Sequence, residues 1–394
     1  MKIAIDASQV IYGTGVSVYT RLLIEHLLLI DEKNDYLIFG SSLRQKNQLR
    51  HFIDTLKGRC SGKIFPYPPT LANIIWNKLH ILPIERLIGD VDVFHSSDWT
   101  QPPSKAYKVT TVHDLFPIKF PKLTHPKIVD AHSHRLKWVM KEVDEIIVPS
   151  ETTKEDLSNY QIKGKISVIP QAPDPIFKPA TKLEIEKCKR KYQINDEYVI
   201  SVGINPRKNI ERIIAAFEKV RPGLGLKLIV VGYPYIKIEA PRGVKILGHV
   251  VKDDLPALYS GSKALVYPSL YEGFGFPILE AYKCEIPVVT SNLGIMLELG
   301  KNAAVLVNPE ETDSIAEGIV KAIKEKEELI KKGREEVKKY SWMLVAERTL
   351  NIYNSIQEHP DLIGDELNID ISSAPRGKPR SSERGEGHNE AVTK

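Results

Sequence analysis

Residues 267–281 read YPSLYEGFGFPILEA, and this stretch decides the fold class. An apolar run ends at Tyr267, a turn with two glycines follows, and Pro277 suits the first turn of a helix. The pattern predicts a β-strand, a tight turn and an α-helix in direct succession. Units of this kind build parallel α/β sheets, in which ligands bind beyond the carboxyl ends of the strands.

The same stretch carries two glutamates, Glu272 in the turn and Glu280 in the helix. A carboxylate in the turn can accept hydrogen bonds from sugar hydroxyls, and one in the helix can accept them from a ribose diol. Gly273 and Gly275 allow a close approach of the backbone, whose N–H groups can then face an anion. A plain turn with solvated glutamates has the same spacing, so the pattern alone leaves both interpretations open.

Short apolar runs alternate with segments of helical period along most of the chain, which predicts βαβ units and parallel sheets. The predicted strands lie at residues 3–7, 36–39, 91–95, 109–112, 146–149 and 166–169, and then at 198–202, 227–231, 244–247, 264–267 and 287–290. Four prolines between residues 170 and 179 separate the two series.

We therefore predict an α/β protein with two Rossmann-like domains. The N-terminal domain spans residues 1–170, a linker spans 171–195, and the C-terminal domain spans 196–340. An amphipathic helix at 341–358 is expected to pack onto the body and to cross back to the N-terminal domain. The final residues, 359–394, are rich in Gly, Ser, Pro and charges, and this composition predicts disorder.

The composition excludes several classes of protein. The 394 residues include 55 Lys and Arg against 50 Asp and Glu, a net charge of +5 that is too small for a dedicated nucleic-acid binder. Three widely spaced cysteines make neither a zinc knuckle nor a disulfide framework. Lys2 precedes any apolar run and no run reaches about 20 apolar residues, so we expect no signal peptide, no membrane span and a cytoplasmic location.

A second motif, VGINPRKN at residues 202–209, follows the first predicted strand of the second domain. Arg207 and Lys208 lie where the next helix is predicted to begin, and paired cations at a helix N-terminus suit a diphosphate. A solvated basic turn is the alternative interpretation.

The sequence EGFGFPILEA resembles the E-x7-E signature of glycosyltransferase family 4, whose members are retaining, nucleotide-sugar-dependent enzymes with the GT-B fold. The resemblance covers about residues 1 to 358. It implies that Glu272 holds hydroxyls of the donor sugar and that Glu280 holds the nucleotide ribose. It also implies that the sugar and the diphosphate contact the backbone N–H groups of Gly273, Phe274, Gly275 and Phe276.

The resemblance extends to two other motifs. It implies that Arg207 and Lys208 bind phosphate, with Lys208 the closer match because Ile204 and a short loop depart from the family pattern. It also implies that Gly13 and Gly15, in the loop after the first strand, close over the donor diphosphate or shape the acceptor pocket. A plain turn into a helix is the alternative for that loop.

His113 and Asp114 follow the strand that ends near Val112. A lone histidine is often structural, but the end of a strand is where ligands bind in α/β sheets. The resemblance implies that His113 faces the donor sugar. Asp114 then orients His113 or assists the acceptor hydroxyl as a base.

The resemblance as a whole implies a retaining hexosyltransferase that acts on a glycan or lipid-linked glycan in surface polysaccharide synthesis. GDP-mannose is the first expected donor, and UDP-glucose and UDP-N-acetylhexosamines come next. We expect no cofactor and no metal, because Arg207 and Lys208 would neutralise the leaving diphosphate. The rival interpretations are a nucleotide-sugar epimerase, a glycogen-synthase-like polymerase and a non-catalytic scaffold subunit.

Two further features have competing explanations. Residues 65–82 are rich in aromatic and aliphatic side chains and follow a basic segment, which suits either a membrane surface with a lipid-linked acceptor or ordinary core packing. The sequence Asp90-Val91-Asp92 has the form of a D-x-D metal motif, but its place before a predicted strand favours a capped strand start.

Overall fold

The computed structural model describes residues 1–234, 236 and 239–358 of the chain. The predicted disorder at 359–394 lies outside the described residues.

The first half of the chain forms a seven-stranded parallel sheet in the order β3-β2-β1-β4-β5-β6-β7. Its strands are β1 (Lys2–Asp6), β2 (Asp35–Ser41), β3 (Cys60–Phe65), β4 (Val93–Ser96), β5 (Tyr107–Thr111), β6 (Glu145–Val148) and β7 (Lys165–Val168). The order reverses between β1 and β4, so this is the switch point at which a doubly wound sheet opens a crevice.

The second half forms a six-stranded parallel sheet in the order β10-β9-β8-β11-β12-β13. Its strands are β8 (Tyr198–Ile204), β9 (Lys227–Pro234), β10 (Val244–Gly248), β11 (Leu265–Tyr267), β12 (Val288–Ser291) and β13 (Val305–Val307). Here the order reverses between β8 and β11. The predicted α/β architecture with two parallel sheets is confirmed.

Helices cover the faces of both sheets. In the first half they are α1 (Gly15–Ile30), α2 (Lys46–Thr55), α3 (Pro69–Ala72), which continues as a π-helical segment (Asn73–Lys78), α4 (Glu85–Ile88), α5 (Phe116–Lys119), α6 (Pro126–Glu142) and α7 (Glu151–Ser158). In the second half they are α8 (Lys182–Lys191), α9 (Ile210–Leu224), α10 (Leu255–Ser260), α11 (Phe276–Lys283), α12 (Gly294–Gly300), α13 (Thr312–Lys324), α14 (Lys326–Val337) and α15 (Trp342–Glu358).

The strands are apolar on both faces because helices cover both sides of each sheet. In β8, for example, Tyr198, Val199 and Ile200 are all buried, with alternate side chains in two different core clusters. Tyr198 and Ile200 face one helical layer, and Val199 faces the other. This explains why the strand reads as a continuous apolar run rather than as an alternating one.

Helix α15 crosses from the second half to pack on the first, as predicted. Trp342 and Tyr353 are buried in the core cluster that contains α1 and β1. The Trp342 indole donates a hydrogen bond to the carbonyl of Pro173 at 3.1 Å. The Tyr353 hydroxyl lies 2.6 Å from Nδ1 of His95, at the end of β4. The last described helix therefore completes the first domain's core.

The structure contains two strands that were not predicted. β3 has the sequence CSGKIF and is only partly buried, so it lacks the apolar run by which the other strands were recognised. β13 is three residues long, which is too short for a periodic pattern to be read. Both strands lie at an edge of their sheet, and no residue of β3 is buried.

In the aromatic-rich segment at residues 65–82, some side chains pack in the core and others are exposed to solvent. Trp76 is buried, and its indole donates to the carbonyl of Leu82 at 3.1 Å, which is core packing. Ile74, Leu79 and Ile81 are 46%, 59% and 54% exposed. None of the helices in the described part of the chain combines the length and the apolar character needed to cross a bilayer.

Candidate functional site

The two cations of the candidate site lie on the turn after β8. A short 3-10 turn (Pro206–Lys208) separates the strand from α9, so Arg207 and Lys208 precede the helix rather than opening it. The Asn205 side chain accepts a hydrogen bond from the N–H of Lys208 at 3.2 Å. Asn209 adopts a left-handed conformation, with φ 60°, and its amide donates to the carbonyls of Pro268 and Pro309. These bonds fix the cationic turn against the segments that follow β11 and β13.

The two cations converge on Glu272, in the turn after β11. Lys208 Nζ lies 2.6 Å from Oε1 of Glu272, and Arg207 Nη1 lies 3.7 Å from Oε2. Lys208 also contacts the hydroxyl of Tyr267. Glu272 is buried, and so its carboxylate needs these partners to remain charged.

Gly203 makes room for the Lys208 side chain. Its φ of +95° lies in the region that favours glycine, and a Cβ there would come within 2.9 Å of Cγ of Lys208. The glycine in the VGI sequence thus lets the lysine fold back over the end of β8 toward Glu272.

The electrostatics of this cluster follow from its burial. Burial alone raises the pKa of Glu272, but the facing Arg207 and Lys208 hold it below its ordinary value. Burial lowers the pKa of Lys208 to about 8, while Glu272 acts in the opposite direction. The Glu272 carboxylate raises the pKa of Arg207. At neutral pH the cluster therefore holds one anion and two cations.

Glu280, the second glutamate of the signature, lies on α11. Its Oε2 accepts a hydrogen bond from the hydroxyl of Tyr259 at 2.9 Å. Burial raises the pKa of Glu280 to about 7, and the Tyr259 hydrogen bond opposes this rise. The carboxyl is therefore poised to gain or lose a proton near neutrality, and hydroxyl donors would favour its ionised form.

The turn that joins these glutamates lies against the first half of the chain. A Cβ on Gly273 would come within 2.1 Å of the carbonyl oxygen of His113, so only glycine fits there. The carbonyl of Gly273 accepts a hydrogen bond from the Ser150 hydroxyl at 3.1 Å. Phe274 packs in the core, and Gly275, with φ 96°, is the residue directly before α11. No described residue accepts a hydrogen bond from the N–H groups of residues 273–276.

His113 and Asp114 belong to the same junction but do not bond to each other. Nδ1 of His113 lies 2.9 Å from the Gln171 amide, and the Tyr19 ring meets the imidazole edge-on at 4.7 Å. The Asp114 carboxylate accepts from the N–H of Phe116 and lies 3.3 Å from Arg207. The residue that orients His113 is thus Gln171 and not Asp114. Burial lowers the pKa of His113 to about 4, so its imidazole is neutral at physiological pH.

The glycine loop after β1 lies near the same turn. Gly13 has φ 67° and ends a short 3-10 turn (Val10–Tyr12), and Thr14 caps α1 through a reciprocal pair of hydrogen bonds with Ser17. A Cβ on Gly15 would lie 3.5 Å from the ring of Phe276. The loop therefore reaches the N-terminal end of α11.

Several residues at the site were missed by the sequence reasoning. Gln171 and Asp174 lie in the segment that was interpreted as a linker, and Asp174 pairs with Arg21 at 2.7 Å and with Lys252. Tyr259 and Tyr267 sit in ordinary helix and strand patterns. Only the prolines clustered around Gln171 indicated that this segment could hold site residues, because prolines restrict the backbone there.

The D-x-D sequence at residues 90–92 lies directly before β4. Asp92 accepts a hydrogen bond from the N–H of Lys2 at 2.7 Å, as expected of a capped strand start. In the described part of the chain, no three His, Cys, Asp or Glu side chains are grouped so as to hold a metal ion.

The site therefore brings cations, a paired carboxylate and free backbone N–H groups to the carboxyl ends of β8 and β11. Cations and N–H donors stabilise negative charge that develops on a leaving group. The carboxylates of Glu272 and Glu280 can accept hydrogen bonds from hydroxyl groups. This combination suits a ligand that carries both phosphate and sugar.

Two family models match the chain. The model described as "Glycosyltransferase Family 4" matches residues 13–175, and the model described as "Glycosyl transferases group 1" matches residues 184–340. Together they cover every strand of both sheets except β1, and all of the motifs described above.

Relatives and solved structures agree with these matches. The O-antigen chain mannosyltransferase B of Escherichia coli is 27% identical, over 90% of this chain and 99% of that protein. The O-antigen chain mannosyltransferase RfbU of Salmonella typhimurium is 29% identical, over 52% of this chain and 57% of that protein. Sucrose-phosphate synthase from Thermosynechococcus elongatus has a similar structure, with a TM-score of 0.70, 18% identity and coverage of 91% and 99% of the two chains. Anabaena HepE in complex with UDP-glucose has a TM-score of 0.66, with 16% identity and coverage of 90% and 100%.

Proposed function

The chain belongs to the glycosyltransferases, with a family 4 domain followed by a group 1 domain in a GT-B fold, and from this premise we propose that it is a retaining hexosyltransferase. It transfers a hexose from a nucleoside-diphosphate sugar to a glycan or lipid-linked glycan. The observation that carries the proposal is the convergence of Lys208 and Arg207 on the buried Glu272, beside the free N–H groups of residues 273–276.

Each part of a nucleotide sugar has a partner in this arrangement. Lys208, Arg207 and the N–H groups of residues 273–276 take the diphosphate, and their positive charge stabilises it as the glycosidic bond breaks. Glu272 accepts hydrogen bonds from hydroxyls of the donor sugar. Glu280, on the next helix, accepts them from the ribose diol.

We propose that the configuration at the anomeric carbon is retained because the acceptor hydroxyl attacks the same face of the sugar from which the diphosphate departs. In a double displacement a carboxylate would have to be free to attack the sugar, and Glu272 and Asp114 are both engaged by Arg207. In same-face attack, the departing phosphate itself accepts the proton of the acceptor hydroxyl. His113, neutral and held by Gln171, contributes a hydrogen bond at the reacting sugar.

GDP-mannose is the first candidate donor, because the O-antigen chain mannosyltransferase B of Escherichia coli is similar to this chain over 90% of its length. A UDP-hexose is the second, since the structurally similar HepE is described in complex with UDP-glucose. A thermal-shift screen against GDP-, UDP- and ADP-sugars tests the choice, because specific binding raises the unfolding temperature by mass action. We expect GDP-mannose to give the largest shift; a shift with ADP-sugars alone would contradict this assignment.

The reaction is proposed to need no divalent metal, since Arg207 and Lys208 supply the positive charge at the diphosphate. Transfer measured with and without EDTA tests this. Equal rates are expected, and a loss of activity that Mn²⁺ restores would refute it.

The acceptor is proposed to be a growing glycan of a surface polysaccharide, and the protein to act in the cytoplasm at the inner face of the membrane. The exposed side chains of Ile74, Leu79 and Ile81 form the apolar surface offered to lipid. Co-sedimentation with vesicles that contain anionic lipid tests this. Ile81→Asp should reduce binding, and Leu183→Asp, at an equally exposed position in α8, should not.

Two rival functions are separated by product analysis with one purified donor. An epimerase would convert that donor without any acceptor, and a polymerase would extend a single glucan. A non-catalytic scaffold would show neither donor hydrolysis nor transfer, whereas hydrolysis that is unchanged in Glu272→Ala and Lys208→Ala would contradict the site assignment. We expect both variants to lose hydrolysis and transfer together.

A further inference from the structure

Tyr271, the residue directly before Glu272, packs outside the core of its own half of the chain. The aromatic residues before and after it in the same turn, Tyr267 and Phe274, belong to a core cluster of the second sheet, and Tyr271 does not. Tyr271 is nevertheless only 8% exposed. The side chains that cover it come from the first half of the chain.

Helix α5 and the residue after it, Phe120, surround the Tyr271 ring. The ring centroid of Phe116 lies 5.9 Å from that of Tyr271, and Phe120 meets the ring edge-on at 5.5 Å. Lys119 Nζ lies 5.1 Å from the same centroid, within the range of a cation–π contact. These contacts hold the ring of Tyr271 against the first half.

The hydroxyl of Tyr271 is also bonded to the first half. It donates to Oδ2 of Asp156, on α7, at 2.7 Å, and it accepts from the N–H of Leu115 at 3.3 Å. Asp156 is held in turn by Lys119. Burial raises the pKa of Tyr271, and the carboxylates of Asp114 and Asp156 raise it further. The hydroxyl therefore stays protonated, and its donor and acceptor functions are both satisfied across the interface.

The residue after Glu272 is held by the first half as well. The Ser150 hydroxyl donates to the carbonyl of Gly273 at 3.1 Å. Glu272 itself stays in the second half, where its carboxylate meets Lys208 and Arg207. The glutamate proposed to hold the donor sugar thus lies between two residues that are anchored to the other half of the molecule.

We propose that Tyr271 is a positioning residue, through which the first half of the chain sets the place of Glu272 in the donor site. The proposal rests on the proposed transferase function and assigns no contact between Tyr271 and the substrate. A misplacement of about 1 Å can cost about 10²-fold in rate, so an anchor next to Glu272 matters for turnover. The nucleoside diphosphate is taken by Lys208, Arg207 and Glu280, and its binding should not depend on Tyr271.

The variant Tyr271→Phe tests the proposal, because it keeps the ring among its neighbours and removes only the hydroxyl. We expect kcat for transfer and for donor hydrolysis to fall about tenfold, while the KM for the donor stays within about threefold. The thermal shifts given by GDP and by UDP, which carry no sugar, should be unchanged. A kcat within about threefold of the unchanged protein would overturn the proposal, whatever the KM.

The same contact can be broken from the first half with Asp156→Ala. We expect a similar loss of kcat, and the double variant Tyr271→Phe/Asp156→Ala should lose no more than either single variant, because both substitutions remove one hydrogen bond. Losses that multiply in the double variant would show that the two residues act separately and would overturn the proposal. Asp156→Asn keeps an oxygen that can accept from the hydroxyl, so its kcat should stay within about threefold of the unchanged value.

A control must separate the placement of Glu272 from a general loosening of the contact between the two halves. Thr152→Val serves this purpose, because the Thr152 hydroxyl donates to Glu298 across the same interface but at a different point of the chain. Its kcat should stay within about threefold of the unchanged value. A loss as large as that of Tyr271→Phe would assign the effect to the interface as a whole and would overturn the proposal.

The proposed function and this inference fail in different ways. If the unchanged protein gives no thermal shift with GDP or UDP and neither hydrolyses nor transfers any nucleotide sugar, the proposed function is refuted, and this inference with it. If the unchanged protein is active and Tyr271→Phe is equally active, the inference alone is refuted.

Discussion

The two sheets of the molecule present chemically opposite ends to the same junction. At the switch point of the second sheet, Arg207 and Lys208 surround a buried carboxylate, and the group is charged at neutral pH. At the switch point of the first sheet, the imidazoles of His95 and His113 are neutral, and Asp6 is bonded only to neutral groups. Both ends are built in the same way, from loops that follow parallel strands.

The difference shows that topology sets where a ligand binds and that side chains set which ligand it is. An end with fixed cations suits a group that gains negative charge. An end with neutral acceptors suits a group that offers hydroxyl protons. The predictions below test whether the two ends are as different in behaviour as they are in composition.

The largest effect is expected when the charged end loses its lysine. Lys208→Ala should lower kcat by about 10²–10³-fold, because it removes a cation from the leaving diphosphate and leaves Glu272 with one weaker partner. Release of the nucleoside diphosphate measures this effect. Lys219→Ala, which removes a surface ion pair of α9 with Asp313, is the control and should be active. A kcat for Lys208→Ala within threefold of the unchanged protein would contradict the assignment.

Loss of packing at the neutral end should affect stability more than chemistry. Trp342→Ala should lower the free energy of unfolding by about 3 kcal/mol, because it leaves a cavity between α15 and α1 and removes the bond to Pro173. Denaturant unfolding followed by circular dichroism measures it. Met343→Ala, one residue along and 40% exposed, should change stability by less than about 0.5 kcal/mol.

The pH dependence of donor binding should follow Glu280. Its pKa is raised to about 7 by burial, so the carboxylate is lost as the pH falls through 7, and the ribose diol then loses its acceptor. The KM for the donor should therefore rise as the pH falls from 7 to 6, a range in which Lys208, whose pKa is lowered by burial to about 8, is already charged. In Glu280→Gln the KM should be about tenfold higher and constant between pH 7 and pH 6. A KM that still rises over this range in the variant would assign the titration to another group.

The smallest effect is expected for the pH dependence of His113. Because its pKa is lowered to about 4, His113 stays neutral from pH 6 to pH 8. His113→Asn should reduce kcat without changing the shape of its pH profile in that range. If the substitution removed a titration near pH 6, His113 would have to be charged during turnover and the neutral description of this end would fail.

Sequence reasoning reached the fold because its determinants are local. The apolar run of β8 and the strand–turn–helix at 267–281 can each be recognised from a few consecutive residues, because burial and turn geometry determine which residue types occur there. The two strands that were not predicted, β3 and β13, lie at sheet edges. No residue of β3 is buried and β13 has only three residues, so neither has a clear apolar pattern. The crossing of α15 was expected from its apolar face together with the resemblance.

At the site, sequence reasoning located residues but not their partners. The motifs named Lys208 and Glu272, and the structure brings them within 2.6 Å. The motifs could not show that Asp114 pairs with Arg207, or that Gln171 holds His113, because each pair joins residues 58 or more positions apart. Partners at such separations depend on how the two halves meet, and local patterns do not record this.

The return of α15 has a consequence for how the chain folds as it is made. Tyr353 covers His95, and Trp342 covers Pro173, so the first 170 residues leave the ribosome with part of their core open to water. That core closes only after the whole second half has been synthesised. The first domain, although first in the sequence, is the last to be completed, and a fragment that ends at residue 170 should expose the apolar face of α1 and aggregate.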